Sequence, residues 1–279
     1  MGYGCVGMKR LCSLFAAGVL LFVSHAPAWA GELRLQDLID EALKVSPEIL
    51  AARARASASG FKVPQSMSLP DPMVMVGYQN EGTSRFTYNE SPDSQYLFSA
   101  SQQFFFPGKR GLKGEVASRE AESLSASSKA VQLRTVLTIK ELYYDLFFAH
   151  QSMDLLGEKT VLLRKVEDAA LARYGAGRGM QQDVLMAQAE KYMLFEREAM
   201  LKQRIQTLDA LLNSAVGREQ AAPLDRPAPP VFAPYSHALA DLIAEAYENS
   251  PEIKAREKMV AATNARVRVA EREYYPDIT

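Results

Sequence analysis

The side chains best suited to chemistry are scattered along this sequence rather than gathered. Of 279 residues, three are histidine and two are cysteine. His150 and His237 have no second ligand at a helical spacing such as i+4, so neither reads as a metal ligand or a general base. Met186, Met193 and Met200 stand seven apart, and Met73 and Met75 share one face of a strand-like segment. Thioethers can take Cu(I), yet methionine at helical spacing is expected as core filling. Glu120 with Glu122 and Glu167 with Asp168 sit among Lys and Arg, where a solvated helix face is expected. There is no G-x-S-x-G, no H-E-x-x-H and no P-loop. No catalytic site, metal centre or cofactor is therefore expected.

The first thirty residues read as an address. Lys9 and Arg10 precede an apolar run from Leu11 to Val23, and Ala28-Trp29-Ala30 supplies small residues around a cleavage point after Ala30. The run is shorter than the roughly 20 residues a membrane-spanning helix needs. Both cysteines (Cys5, Cys12) leave with this secretory leader, so no disulfide can hold the exported chain. The remaining 249 residues carry 30 basic and 33 acidic side chains, a balance that argues against nucleic acid as a partner. No later segment has the length and apolarity of a transmembrane helix, so any entry into a membrane must use strands.

The chain also compares well with itself. Residues 35–51 align with residues 239–255 at a constant offset of 204, with 11 of 17 positions identical. Each copy reads as two short helices, the second opened by Ser46-Pro47-Glu48 or Ser250-Pro251-Glu252. In the first copy that second helix is expected to stop near Pro64 or Pro70. A repeat begun near Leu239 would finish at roughly residue 443, so the sequence is expected to hold one complete unit and the opening of another.

Between the copies, Pro70-Asp71-Pro72 leads into Met73–Gln79, and Tyr96, Phe98 and Ala100 alternate with Leu97, Ser99 and Ser101. That period of two predicts a hairpin over 73–106 with one more apolar face. Eight of the 21 Phe and Tyr residues after the leader fall between Tyr78 and Phe106, as in the aromatic girdles of membrane barrels. A soluble amphipathic hairpin packed on a helix fits the same pattern. Pro107-Gly108 closes the hairpin, and no proline follows until Pro223. Helices are expected over 108–174 and 180–216, roughly 95 and 55 Å long, broken by three glycines in five residues at 175–179. Ile139, Leu142, Leu146, Ala149, Met153 and Leu156 recur at steps of three and four, as do Leu201, Ile205, Leu208, Leu212 and Ala215. Helices this long cannot surround one core and must pack side by side. Residues 223–235, with five prolines, form a linker, and 236–279 open the second repeat.

A duplicated unit of short helices, hairpin and long helix pair resembles the TolC-type outer membrane factor family, the outer membrane efflux proteins. The resemblance rests on Leu69-Pro70-Asp71-Pro72, on Phe106-Pro107-Gly108-Lys109-Arg110, and on the segment Arg173 to Gln188. In that segment Tyr174, Gly177, Asp183, Val184, Leu185 and Ala187 fall where the family's helical-tip motif has them, while Met180 replaces its usual serine. The Pro-Asp-Pro lead-in and the Pro-Gly-Lys-Arg exit look most like the heavy-metal branch, of the CzcC and CusC kind.

The resemblance implies a mainly α fold with a β-hairpin, half of a duplicated channel fold. It implies a homotrimer in the outer membrane, with two strands per repeat in a shared barrel and the long helices in a periplasmic tunnel. The tip, with Tyr174, Gly177, Arg178 and Asp183, would dock on a periplasmic adaptor coupled to an inner-membrane pump. Pro70, Pro72, Pro107 and Gly108 would mark the strand–helix transitions, and residues 81–95 would face outside. Two strands from each of three copies make six, fewer than the eight of the smallest usual barrels, so this stretch alone is expected to form no efflux pore. The alternatives are a periplasmic coiled-coil adaptor, disfavoured by the aromatic hairpin and the repeat, and a periplasmic enzyme, disfavoured by the scattered chemistry.

Overall fold

The computed structural model describes residues 32–79, 94–231 and 234–279. The expected leader, and the expected external loop up to residue 93, lie outside the described residues. Two short helices come first, α1 (Leu35–Val45) and α2 (Pro47–Met67). Strands β1 (Met73–Gln79) and β2 (Gln95–Ser101) follow. The long helices are α3 (Lys109–Gly175) and α4 (Gln181–Val216). The second copy contributes α5 (Leu239–Asn249) and α6 (Pro251–Glu273).

The internal repeat is visible in the backbone. Pro47 and Pro251 each take the first helical turn, where a missing N–H costs nothing. Ser46 and Ser250 precede them, but neither hydroxyl caps its helix as the sequence suggested. Each serine is instead a shared hinge. The Ser46 N–H donates to the Ala42 carbonyl (3.0 Å), and the Ser46 carbonyl accepts from Leu50 (3.0 Å). Ser250 makes the same two bonds, to Ala246 (2.9 Å) and from Lys254 (3.1 Å). Helix α2 passes through Pro64 and ends at Met67, so the effective stop is the Pro70-Asp71-Pro72 stretch. Pro64 lies on the exposed side, where the carbonyl it frees meets solvent.

With 67 residues, α3 is about 100 Å long and is the spine on which α2, α4 and α6 pack. The hydrophobic core sits at its midpoint. There Ile139, Tyr143, Leu146 and Ala149 meet Leu38, Ile39 and Ala42 of α1 and Leu208, Leu212 and Val216 of α4. Tyr143, rather than the expected Leu142, is the buried member of that turn. Its hydroxyl lies 2.9 Å from the Leu33 carbonyl and 3.0 Å from that of Ala228, so it ties the linker to the start of the helical unit. Leu33 also exchanges backbone bonds with Arg226 and Ala228, and Arg226 pairs with Asp154. The linker is therefore strapped across α3.

The end of the core nearer the hairpin is closed by Gly217, at φ +100°. A Cβ there would stand 3.0 Å from Pro47 Cδ and 3.2 Å from the Val45 carbonyl. Glycine is required both by the left-handed backbone and by the approach of the α1–α2 corner.

Small residues set the α3–α6 seam. Ala262 and Ala265 are fully buried against α3, where Ala117, Ser123 and Ser128 are also buried. The Ser123 hydroxyl donates to the Ala255 carbonyl (2.8 Å). Ion pairs flank the seam: Arg268–Glu115 (2.6 Å), Arg266–Glu120, Lys258–Glu122 (2.7 Å) and Arg134–Glu252 (2.6 Å). Glu120 and Glu122 thus face the second repeat, a correction to the solvated face expected for them. Being partly exposed, each pair contributes about 0.2–1 kcal/mol.

The two copies of the repeat differ in what covers them. Leu38, Ile39 and Ala42 are buried, whereas none of α5 is. Ile243, the counterpart of Ile39, is 49% exposed.

Candidate functional site

The hairpin is the first candidate surface. Strands β1 and β2 pair antiparallel, with Val74 opposite Ala100, Val76 opposite Phe98 and Tyr78 opposite Tyr96. The alternate pairs are Met73–Ser101, Met75–Ser99, Gly77–Leu97 and Gln79–Gln95. Because side chains alternate across a sheet, one face carries Val, Val, Tyr, Tyr, Phe and Ala. The other carries two methionines, two serines, two glutamines, a glycine and a leucine. The Tyr78 and Tyr96 rings lie 5.4 Å apart, tilted by 51°, on the apolar face near one end. Met73, Val74, Val76 and Phe98 are each at least two-thirds exposed, so neither face is packed on a helix. A soluble hairpin resting on a helix, left open by the sequence, is not what forms. No further strand pairs with either edge among the described residues, apart from one bridge at Phe104.

Below the hairpin lies the joint where strand becomes helix. Gly108 takes φ +92°, outside the range of most L-residues, and turns the chain from Pro107 into α3. Lys109, the first residue of α3, is only 5% exposed. Its ammonium donates to the Tyr275 carbonyl (2.7 Å) and to Asp277 Oδ1 (2.8 Å). Asp277 also accepts from the Phe106 N–H (2.9 Å) and from Gln103 Nε2 (3.3 Å). The Lys109 ammonium first, then the Phe106 N–H, hold its carboxyl below the usual carboxylate range. Phe106 stacks on Tyr275 at 4.7 Å, and Phe104 and Ile278 exchange backbone bonds (2.7 and 3.0 Å). Pro70 and Pro72 stand on the other side of the same segment, where Gln102 Nε2 donates to the Pro70 carbonyl (2.7 Å). Pro70 and Pro72 lie between α2 and β1, and Pro107 and Gly108 between β2 and α3, so all four flank the hairpin. Of the polar centre of the joint, Lys109 entered the sequence reading only as part of the Phe106 to Arg110 motif, and Asp277 was not singled out.

At the opposite end of α3 the chain reverses. The Arg178 N–H donates to the Arg173 carbonyl (2.9 Å) and the Gly177 N–H to that of Tyr174 (2.9 Å), a Schellman closure with Gly177 at φ +69°. Helix α4 starts after Met180, which offers no side-chain cap. Tyr174, Gly177, Arg178 and Asp183 are gathered at this tip, and all four are exposed. One ion pair braces it from behind. Glu167, expected on a solvated face, is 8% exposed and takes two bonds from Lys191 of α4 (2.8 and 2.6 Å).

The long helix carries a second apolar stripe. Leu133, Leu137, Tyr144, Phe148, Leu155, Leu162 and Val166 follow one another at steps of four and seven. At 100° per residue they fall on one side of α3, opposite the side that buries Ile139 and Leu146. They are 45–72% exposed. Met186, Met193 and Met200 of α4 are also exposed, at 60, 45 and 63%, so they are surface apolar residues and not the core filling expected. A helix apolar on two sides is built to be covered on both.

The remaining candidates stay apart. Burial, then Arg226, pushes the His150 imidazole down, while Asp209 beside it is pushed up by burial. His237 lies against Tyr235 at 4.9 Å. Among the described residues no three His, Cys, Asp or Glu side chains are grouped to hold a metal ion.

Known proteins share this arrangement. Residues 38–218 match the outer membrane efflux protein family. The chain is 25% identical over 258 residues to Protein CyaE of Bordetella pertussis, covering 88% of this chain and 53% of that protein. The outer membrane protein VceC of Vibrio cholerae superimposes with a TM-score of 0.67 at 21% identity, over 87% of this chain and 60% of VceC. The MtrE outer membrane channel of Neisseria gonorrhoeae does so with a TM-score of 0.68 at 18% identity, over 88% of this chain and 56% of MtrE. The chain thus spans about half the length of the relatives it matches. Its hairpin, joint and long helix pair are half of a channel fold, and the chain belongs to the outer membrane efflux protein family.

Proposed function

We propose that this chain is a subunit of a trimeric outer-membrane channel, passing solute from a periplasmic adaptor and an inner-membrane pump to the exterior. The observation that carries the reading is the β1–β2 register, which sorts the hairpin into an apolar face for lipid and a more polar face for a water-filled lumen. Open strand edges are not tolerated in hydrocarbon, so the hairpin needs neighbours to close a barrel. The second stripe on α3 asks for neighbours in the same way, now along the tunnel. The mechanism is conduction: the pump supplies the energy, and the channel supplies a wetted path.

The tip is the adaptor-docking end, with Tyr174 and Arg178 presented outward and Glu167–Lys191 holding the helix pair in register behind them. The Pro-Asp-Pro lead-in and Pro-Gly-Lys-Arg exit make metal cations the first substrate class to test. Export of the tagged protein supplies the experiment. The reading expects it in the outer-membrane fraction as a heat-dissociable trimer, with loss of the gene sensitising cells to metal salts. A soluble periplasmic monomer would overturn the channel, and sensitisation to organic toxicants alone would overturn the substrate class.

A further inference from the structure

The joint around Lys109 has two acidic lead-ins beside it, and only one is used. Helix α2 (21 residues) ends at Met67, and α6 (23 residues) ends at Glu273. In both copies a proline follows three residues after the helix end and an aspartate four after it: Pro70-Asp71 and Pro276-Asp277. The two extra residues in α6 explain why the repeat offset of 204 becomes 206 here. Asp277 is spent on the exit of the first hairpin, taking the Lys109 ammonium, the Phe106 N–H and the Gln103 amide. Asp71 is exposed and has no hydrogen bond or ion pair among the described residues. Beside it, the outer edge of β1 is open, whereas the equivalent edge next to Asp277 is closed by the Phe104–Ile278 bridge.

From this repeated build we infer that Asp71 is the acceptor half of a second joint. Its occupant is another strand-to-helix exit made like residues 103–109, contributed by the neighbouring subunit of the assembled channel. That exit presents a backbone N–H and a basic side chain at the first residue of its helix, as Phe106 and Lys109 do here. The single exit within these residues is already occupied by Asp277, so the partner belongs to a second hairpin. The inference rests on the channel reading, because Asp71 acquires its partner on assembly. Pro72 stands where Ile278 stands in the used joint, and lacking an N–H it can only accept across the new strand pair. The carboxylate of Asp71 therefore carries most of the recognition.

Carboxyl labelling of the channel assembled with both hairpins, using a carbodiimide and glycine ethyl ester, tests this, read peptide by peptide by mass spectrometry. Asp277 serves as the protected standard and Asp183, at the tip, as the free one. Asp71 is expected to label severalfold more slowly than Asp183, in the class of Asp277. The Asp71→Lys variant should lose heat resistance of the trimer, and Asp71→Asn should lose less. An assembled trimer in which Asp71 labels as fast as Asp183, or whose heat resistance survives Asp71→Lys, overturns the inference and leaves the channel standing. Absence of any assembly overturns the channel itself.

Discussion

Phe148 lies on the uncovered side of α3 with 72% of its surface exposed. A phenylalanine buries about 150–250 Å² when fully enclosed, so covering Phe148 would remove roughly 140 Å² from water. At about 25 cal/mol per Å² that is ~3.5 kcal/mol per subunit, reduced to ~3 because the alanine Cβ of Phe148→Ala keeps part of the contact. In the dispersed subunit the same substitution touches nothing buried, so its cost there should stay within ~0.5 kcal/mol. Trimer dissociation, followed by heat-dependent migration in detergent gels, should therefore shift strongly while the helical melting of the dispersed subunit does not. Leu155→Ala (65% exposed) and Leu162→Ala (62% exposed) should follow the same split. A Phe148→Ala trimer as heat-resistant as before would refute the buried stripe, as would a dispersed subunit weakened as much as the assembly.

Other substitutions probe the subunit itself. Leu146→Ala empties a fully enclosed site between α1, α3 and α4 and should cost about 2–5 kcal/mol in chemical denaturation of the dispersed subunit. Gly217→Ala forces a side chain into a left-handed backbone 3.0 Å from Pro47, and should cost about 1–3 kcal/mol and loosen the α1–α2 corner in proteolysis. Hydrogen bonds from Arg218 hold the Glu41 carboxyl below its ordinary value of 4.5. A lowered folded value means this stabilisation is present above pH 4.5 and is lost as pH falls through the folded value. With each side chain about a third exposed, it amounts to at most about 1 kcal/mol. Arg218→Gln should remove that acid-side dependence, and an unchanged pH profile of unfolding would sink the assignment.

The positions of the helices and the hairpin were legible in the residues because each depends on local chemistry. Pro70-Asp71-Pro72 ends α2, Pro107-Gly108 ends the hairpin and opens α3, and the triple-glycine turn ends α3. Partner-dependent features were not legible. Met73-Val74-Met75-Val76 is apolar at every position, and only its pairing with Phe98, Ser99 and Ala100 tells the lipid-type face from the other. Seven-residue spacing made Met186, Met193 and Met200 look like core, but periodicity marks a face without saying whether anything covers it. Glu167 looked solvated because its partner, Lys191, comes from a helix running the other way, 24 residues later. Lys109 and Asp277 are 168 positions apart, and nothing local predicts their meeting.

Whether the hairpin walls a water-filled pore can be read from its two faces. Single cysteines at Met75 and Ser99 on one face, and at Val76 and Phe98 on the other, can be challenged with a membrane-impermeant thiol reagent. Conductance of the channel assembled with both repeats would be recorded across a planar bilayer at the same time. Reaction and a change of conductance at Met75→Cys and Ser99→Cys, with silence at Val76→Cys and Phe98→Cys, is the predicted result. Equal reactivity on both faces, with conductance untouched by any of the four, would contradict it.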